Sequence, residues 1–594
     1  MTQPLSPTST RASALIAWLW IPAALYCLVF ILSRSTPVPY WDQFAVGQFL
    51  LRTYTADFPS FADLFAQHNE SRKFFPRLLF WLLTLPGEWN VRREMLAHWA
   101  LLVVGAVTLT ALARRSLPPY PAAFASVLAG TLLFSIAQWQ NLLWGIQIIT
   151  SIPTVALLLA VFVLQLSRPH LYLRAAFATF AALVATYSYA NGMALWPLMV
   201  PLILLAPAST PRQRVIALTA FLVAAFLAIA AYFWTYARPG AHPALDVATH
   251  LPSAALKYFI VFIGNGLRLA DGTKTAELVG YVAVGVVLLV STVLYGFAYA
   301  RRSWDPIRTA APWLTLAAYT MLSSAVTTVG RLGFGVETAA SERYVTFALP
   351  LFIAVVPLTY LAVRELLTPR PEWKHLPGYF ATFLAGALIA LQLLSTRRAL
   401  AESGVFRDER DRGLVLATWI DVTPNGPEII KYLFPDPNFA RDTLRDLNRL
   451  HKLPFAFASS PLASTYAPPN QAKGIGSVDT LSRSERTVTI SGWAVAPGNP
   501  GRSADAIFAA AELPGGDARL LAMTINSHLA RPDVPQFSGP RHTGHAGWAI
   551  TFDLPPELPP DANLAVFAYH APTHSLHRLS IPPPPVPPVP PAMP

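Results

Sequence analysis

Long apolar runs alternate with short polar breaks over the first two thirds of the chain. Runs of about 17–25 mostly apolar residues are the length that crosses a bilayer as a helix. They fall at 14–33, 95–113, 121–137, 147–167, 172–188, 192–207, 215–236, 277–299, 309–328, 345–363 and 377–396, which predicts eleven spans. Segment 74–86 is apolar but short and predicts a helix lying in the interface. Segment 253–268 is also short and ends in Gly264-Asn265-Gly266, which fits a re-entrant or interfacial piece. Past the last run the pattern changes. Residues 397–475 are charged and Pro-rich, with short helices predicted near 400–418 and 437–451. Residues 476–580 turn to β patterning. Thr487-Val488-Thr489-Ile490-Ser491 alternates, Gly515-Gly516 makes a turn, and Trp548–Phe552 and Leu564–Tyr569 supply further strands.

The predicted fold class is therefore mainly α, a polytopic transmembrane helical bundle with a C-terminal β-sandwich of about 100 residues. The expected domains are an N-terminal segment 1–13, a membrane domain 14–396 with a first loop 34–94, a linker 397–475, a β module 476–580, and an extended Pro-rich tail 581–594.

Composition agrees. Of 594 residues, 54% are hydrophobic and 13% charged, against about 25% charged in soluble proteins. The net charge of +12 would suggest nucleic acid only if the cations shared a soluble face. Many instead sit in short pairs between apolar runs: Arg114-Arg115, Arg168 with Arg174, Arg212 with Arg214, Arg301-Arg302 with Arg308, and Arg364 with Arg370 and Lys374. No nucleic-acid partner is expected. These five loops alternate along the chain, so the positive-inside bias places them and the N-terminus on the cytoplasmic side, with the chain from Arg397 outside. The single cysteine, Cys27, lies inside the first run, so no intrachain disulfide and no thiolate metal site is expected. The first run has no small-residue cleavage site behind it and reads as a retained helix.

The other set of loops holds the unusual polar residues. The first loop carries four acids, Asp42, Asp57, Asp63 and Glu70, within forty residues. Asp42 follows the first span closely, where a carboxylate suits a general base acting on an acceptor hydroxyl; the alternative is a solvated loop acid or helix N-cap. His68, Glu70, Arg72 and Arg77 form a dense cluster. Glu70 suits a second acid or a metal ligand, and His68 a hydrogen bond to substrate. The guanidinium forks of Arg72 and Arg77 suit phosphate oxygens. Basic contacts with anionic headgroups are the alternative. A divalent cation is compatible with these groups, although no spacing identifies a metal site. Gln140, Asn141 and Trp144 combine amides with an aromatic face, as sugar rings require, and Tyr187, Tyr189 and Asn191 repeat the theme; an interfacial aromatic belt is the alternative. Arg331, Arg343 and Tyr344 lie in a late loop of the same set, where a guanidinium suits a lipid-linked phosphate or a snorkelling anchor.

With these loops in hand, the chain resembles the glycosyltransferase C superfamily of polytopic membrane enzymes. The layout carries the resemblance: an acid (Asp42) soon after the first span, interfacial helices in that loop, many spans, and an outer C-terminal domain. More closely, it resembles bacterial members with a His-Asn-Glu-x-Arg-x-x-x-Pro-Arg pattern (His68 to Arg77), a Gln-Asn-x-x-Trp-Gly pattern (Gln140 to Gly145), and an Arg-Tyr pair before a late span (Arg343-Tyr344). The resemblance covers roughly residues 14–396. It implies an enzyme of the bacterial inner membrane that moves a sugar from a polyprenyl-phosphate donor, at the outer face, to a glycan, lipid or protein acceptor. By the same resemblance Asp42 is the base, and Arg343 with Arg331 holds the donor phosphate. One departure is that Asp42 is flanked by Trp41 and Gln43 where many members have two adjacent acids; Glu70 is then the candidate second acid. The alternative functions are a polymerase, ligase, or flippase or transporter of lipid-linked glycans. The spans lack the obvious buried charges that transporters carry at mid-membrane. The β module resembles small domains of glycan-related proteins, which implies binding of a glycan or partner without chemistry.

Overall fold

The computed structural model describes residues 7–581 apart from 57, 241–242, 270–271, 425, 469–475, 498, 526–527 and 535–544. Asp57, residues 1–6 of the N-terminal segment and 582–594 of the Pro-rich tail lie outside the described residues. The chain forms two compact units. The first comprises 1–35, 52–86 and 91–407, and the second 36–51, 87–90 and 408–594.

The first unit is a bundle of apolar helices, and each of the eleven apolar runs falls on helical chain. Among the described residues, eight helices are long and apolar enough to cross a membrane. Three of the eleven expected spans fall outside that set. Leu171–Thr186 and Ala190–Leu204 are shorter apolar helices. Asp305–Arg331 has 27 residues, but seven Ser and Thr residues from Thr309 to Thr328 dilute its hydropathy. Several of their hydroxyls are bonded inside the bundle: Thr315 donates to Ala311 O at 2.8 Å, Thr320 to Phe347 O at 2.8 Å, and Ser324 to Phe259 O at 2.8 Å. This helix packs on Val345–Leu367, nearly all of whose apolar residues are buried, because neighbouring helices surround it. Phe74–Thr84 is the short helix expected in the interface, and Pro252–Gly264 is the short apolar segment before Asn265.

The second unit is built on two antiparallel sheets. One runs Ser575–Arg578, Leu564–His570, Ala506–Glu512, Ala518–Thr524 in spatial order. The other is centred on Thr487–Ala496, which pairs with Gly476–Ser484, with Asn499–Ser503 and with Gly547–Asp553. Alternate residues of a strand face opposite ways, and strand Ala506–Glu512 uses both faces. Ile507 and Ala509 meet Val488, Ile490 and Trp548 of the second sheet, which closes a sandwich. Phe508 and Ala510 face the other way, onto Leu416, Trp419, Tyr432, Leu433 and Leu444. The Trp419 ring lies 4.6 Å from the Phe508 ring and 4.6 Å from that of Tyr466. Val38 and Phe44 of the first loop belong to this same core. The first loop is thus divided: residues 36–51 and 87–90 fold with the second unit, and 52–86 with the helices. A single helix, Leu376–Trp419, runs through the position where the linker is expected to begin.

Candidate functional site

The polar stretches that interrupt the helices of the first unit are tied to one another. Residues Gln67–His68 and Ser71–Arg72 pair as a short hairpin, with Asn69 in the left-handed region (φ 49°) at its turn. The Tyr232 hydroxyl donates to Glu70 O at 2.7 Å, and the Ala190 amide donates to Ser71 Oγ at 3.2 Å. The hairpin therefore spans the ends of two helices and presents Glu70 between them. From the far side of the sequence, Arg331 Nη2 donates to Glu70 Oε1 at 2.6 Å.

Glu70 and Arg331 line a cavity of about 540 Å³, together with Tyr189, Asn191, Tyr344 and the apolar side chains of Met193, Phe233, Val326 and Val329. Arg343 adjoins it. Its guanidinium lies over the Tyr344 ring at 5.2 Å and within electrostatic reach of Tyr189 and of Arg331. Among the described residues its Nε has no hydrogen-bond partner. Its neighbour Glu342 is taken by Arg268 at 2.8 Å, within a buried network in which Arg268 also holds Glu402 at 2.8 Å. Burial pushes Arg331 down, but Glu70 with Tyr344 and Tyr189 outweighs it, so Arg331 lies above its ordinary value and is fully charged. Burial, then the nearby Glu70 charge, raises the Tyr189 phenol, which remains an O–H donor at neutral pH. The arrangement offers the Arg331 and Arg238 guanidiniums, with that of Arg343 adjoining, the phenols of Tyr189, Tyr232, Tyr236 and Tyr344, and the Glu70 carboxylate beside an apolar wall. That combination suits an anionic head with a hydrocarbon tail.

Several residues expected in the site have other employment. Arg72 is 4% exposed and clamps backbone: Nε donates to Tyr232 O at 2.7 Å, Nη1 to Phe65 O at 3.0 Å, Nη2 to Trp234 O, and the guanidinium stacks on Phe65 at 4.5 Å. Arg77 donates to Asp63 O at 2.8 Å and to Ala66 O, closing the end of the short helix Phe61–Phe65. Burial and the nearby Arg52 push it down to about 10, still charged at neutral pH. Both arginines donate to carbonyls that helix ends leave open, and neither lines the cavity. His68 stays within the hairpin, paired with Ser71, and does not line the cavity. Gln140, Asn141 and Trp144 do not line it either. Trp144 is buried. Asn141 Nδ2 donates to Arg343 O at 3.1 Å and to Thr346 Oγ1 at 2.8 Å. Asn141 thus braces the Arg343 backbone, as a buried turn must satisfy its own polar groups.

Asn191, Arg331 and Tyr344 do line the cavity, as does Glu70. Tyr189, which in sequence fits either a sugar-stacking group or an aromatic belt, lines it too, as do Tyr232 and Tyr236, which look from sequence like the aromatic end of a span. Asp42 belongs to the second unit. It stands just before helix Gln43–Ala56, partly exposed, with its carbonyl accepting from the Ala45 amide at 3.2 Å. Among the described residues no group of three or more His, Cys, Asp or Glu is placed to hold a metal.

No family model matches the chain, and no curated protein matches it. Among solved structures it is similar to ArnT from Cupriavidus metallidurans bound to undecaprenyl phosphate, at 11% identity and a TM-score of 0.37, over 73% of this chain and 88% of that one. It is also similar to the Archaeoglobus fulgidus oligosaccharyltransferase tethered to an acceptor peptide with the NVT sequon. There the identity is 13% and the TM-score 0.34, over 70% of this chain and 59% of that one.

Proposed function

We propose that the chain is a membrane glycosyltransferase that takes a sugar from a polyprenyl-phosphate donor, at the outer face of the inner membrane, and passes it to a hydroxyl on a glycan, lipid or protein. The observation that carries this reading is the Arg331–Arg343 pair. Arg331 lines a partly open cavity with Glu70, its one carboxylate among the described residues, beside an apolar wall, and the Arg343 guanidinium adjoins that cavity within electrostatic reach of Arg331. Like charges are costly to bury together unless an anion joins them, and a lipid-linked phosphate supplies both the anion and the chain.

In the proposed reaction Asp42 takes the proton of the acceptor hydroxyl as its oxygen bonds to the anomeric carbon. The bond from that carbon to the phosphate oxygen breaks, and the polyprenyl phosphate leaves with the electron pair. Arg331 and Arg343, with the Tyr189 and Tyr344 hydroxyls, hold the charge that develops on the leaving phosphate. Glu70, engaged at 2.6 Å, orients Arg331.

The test is transfer of label from undecaprenyl-phosphate-linked hexose or pentose by membranes containing the full chain. Asp42→Asn and Arg343→Ala should each abolish transfer in protein that still inserts. Near-full transfer in Asp42→Asn removes the base assignment, and near-full transfer in Arg343→Ala removes the phosphate assignment.

A further inference from the structure

The second unit holds a device aimed at the turn that carries Asp42. Trp41 adopts the left-handed backbone region, φ 47°, which a side chain of its size rarely enters. Such a conformation persists only where its surroundings hold it. Here the Trp41 amide donates to Leu433 O at 2.8 Å. The adjacent carbonyl, Tyr432 O, accepts from Arg410 Nη1 at 2.8 Å. The same guanidinium lies flat on the Tyr40 ring, 3.5 Å from its centroid. Arg410 is 3% exposed. One turn on, Gly413 leaves room for the approach: a Cβ there would meet Tyr432 O at 2.9 Å.

A single buried side chain thus touches both sides of the turn. It stacks on the residue before Trp41 and fixes the segment whose next carbonyl pins the Trp41 amide. Asp42 comes immediately after. All these groups belong to the second unit.

We propose that Arg410 is a positioning residue that holds the Tyr40–Trp41 turn so that Asp42 is aimed at the acceptor hydroxyl. The C-terminal unit then takes part in transfer, beyond any binding of a glycan or partner. This rests on the reading of Asp42 as the base. A planar, charged fork is required, because it must stack on a ring and donate in its own plane at once.

The test uses the full chain in nanodiscs with two readouts. The first is hydrogen exchange of the Trp41 amide. In Arg410→Ala it should quicken by about tenfold or more as the clamp opens, and in Tyr40→Leu, which removes the stack and spares the Arg410–Tyr432 bond, by less. The second is transfer from undecaprenyl-phosphate-linked hexose or pentose. In Arg410→Ala kcat should fall about tenfold to a hundredfold with the donor KM unchanged. Arg410→Lys should recover only part of kcat. Unchanged exchange at Trp41 in both variants overturns the clamp, whatever transfer shows. Quickened exchange with unchanged kcat overturns its role in positioning. If Asp42→Asn transfers like the wild type, the base reading fails, and the exchange result then stands as a finding about the turn alone.

Discussion

Arg331 and Glu70 meet at 2.6 Å although 261 positions separate them in the chain. Both are partly buried, with side-chain exposures of 19% and 25%, so the pair is less screened than a surface bridge. Breaking it takes away a charged partner held at 2.6 Å beside an apolar wall. Glu70→Gln and Arg331→Gln should each lower stability, and the double variant should lose less than the sum, with a coupling of about 1–3 kcal/mol. Denaturant or thermal titration of all four proteins in one detergent measures this. Additive losses would show that the pair contributes nothing to the fold.

Arg343 makes a sharper binding prediction. Arg268 takes Glu342 at 2.8 Å, and Asn141 fixes the Arg343 carbonyl at 3.1 Å, so the guanidinium is held in place without a carboxylate of its own among the described residues. Arg343→Ala should weaken binding of undecaprenyl phosphate to the purified protein by about tenfold to a hundredfold, the worth of a charge-assisted hydrogen bond. Arg343→Lys should fall between, since an ammonium keeps the charge and loses the fork. Native mass spectrometry with added lipid reads this directly. Equal affinity in all three proteins would move the phosphate elsewhere.

How much was legible in sequence follows the range of each interaction. Eight of the eleven expected spans were legible because an apolar run of the right length is a local signal. Leu171–Thr186 and Ala190–Leu204 are shorter helices, and in Asp305–Arg331 the Ser and Thr side chains, some bonded to neighbours such as Phe347 and Phe259, weaken that signal. Glu70, Asn191, Arg331 and Tyr344 were legible as oddities, polar groups in loops that apolar helices frame. The work of Arg72 and Arg77 was not, since a guanidinium that clamps carbonyls has the same sequence signature as one that awaits phosphate. The membership of Asp42 was hidden for a similar reason. Nothing local announces that Trp41 pairs with Leu433 or that Gln48 Nε2 donates to Thr443 Oγ1 at 2.7 Å.

The reassignment of Arg72 separates stability from binding. Arg72→Ala orphans the Tyr232, Phe65 and Trp234 carbonyls and removes the stack on Phe65. It should cost about 2–4 kcal/mol, and Arg72→Lys should recover little of that. The folded fraction should bind undecaprenyl phosphate within about twofold of the wild type, since no direct contact is lost and twofold is only about 0.4 kcal/mol. Thermal scans with and without the lipid make the comparison. A large loss of affinity at unchanged stability would return Arg72 to the phosphate site.

Trp419 ties the helical part of the second unit to its sheet. The ring is fully buried and sits 4.6 Å from Phe508, 4.6 Å from Tyr466 and 5.2 Å from Tyr569. Removing it should leave a cavity that these rings cannot fill and cost about 3–5 kcal/mol. Trp419→Phe keeps the aromatic contacts and should cost about half as much or less. Because Val38 and Phe44 lie in the same core, the damage should reach the first loop as well as the sheet. Hydrogen exchange of the full chain should therefore show faster exchange at 38–44 together with 506–512 in Trp419→Ala. Protection retained at 38–44 while 506–512 opens would mean that the first-loop segment is held without this core.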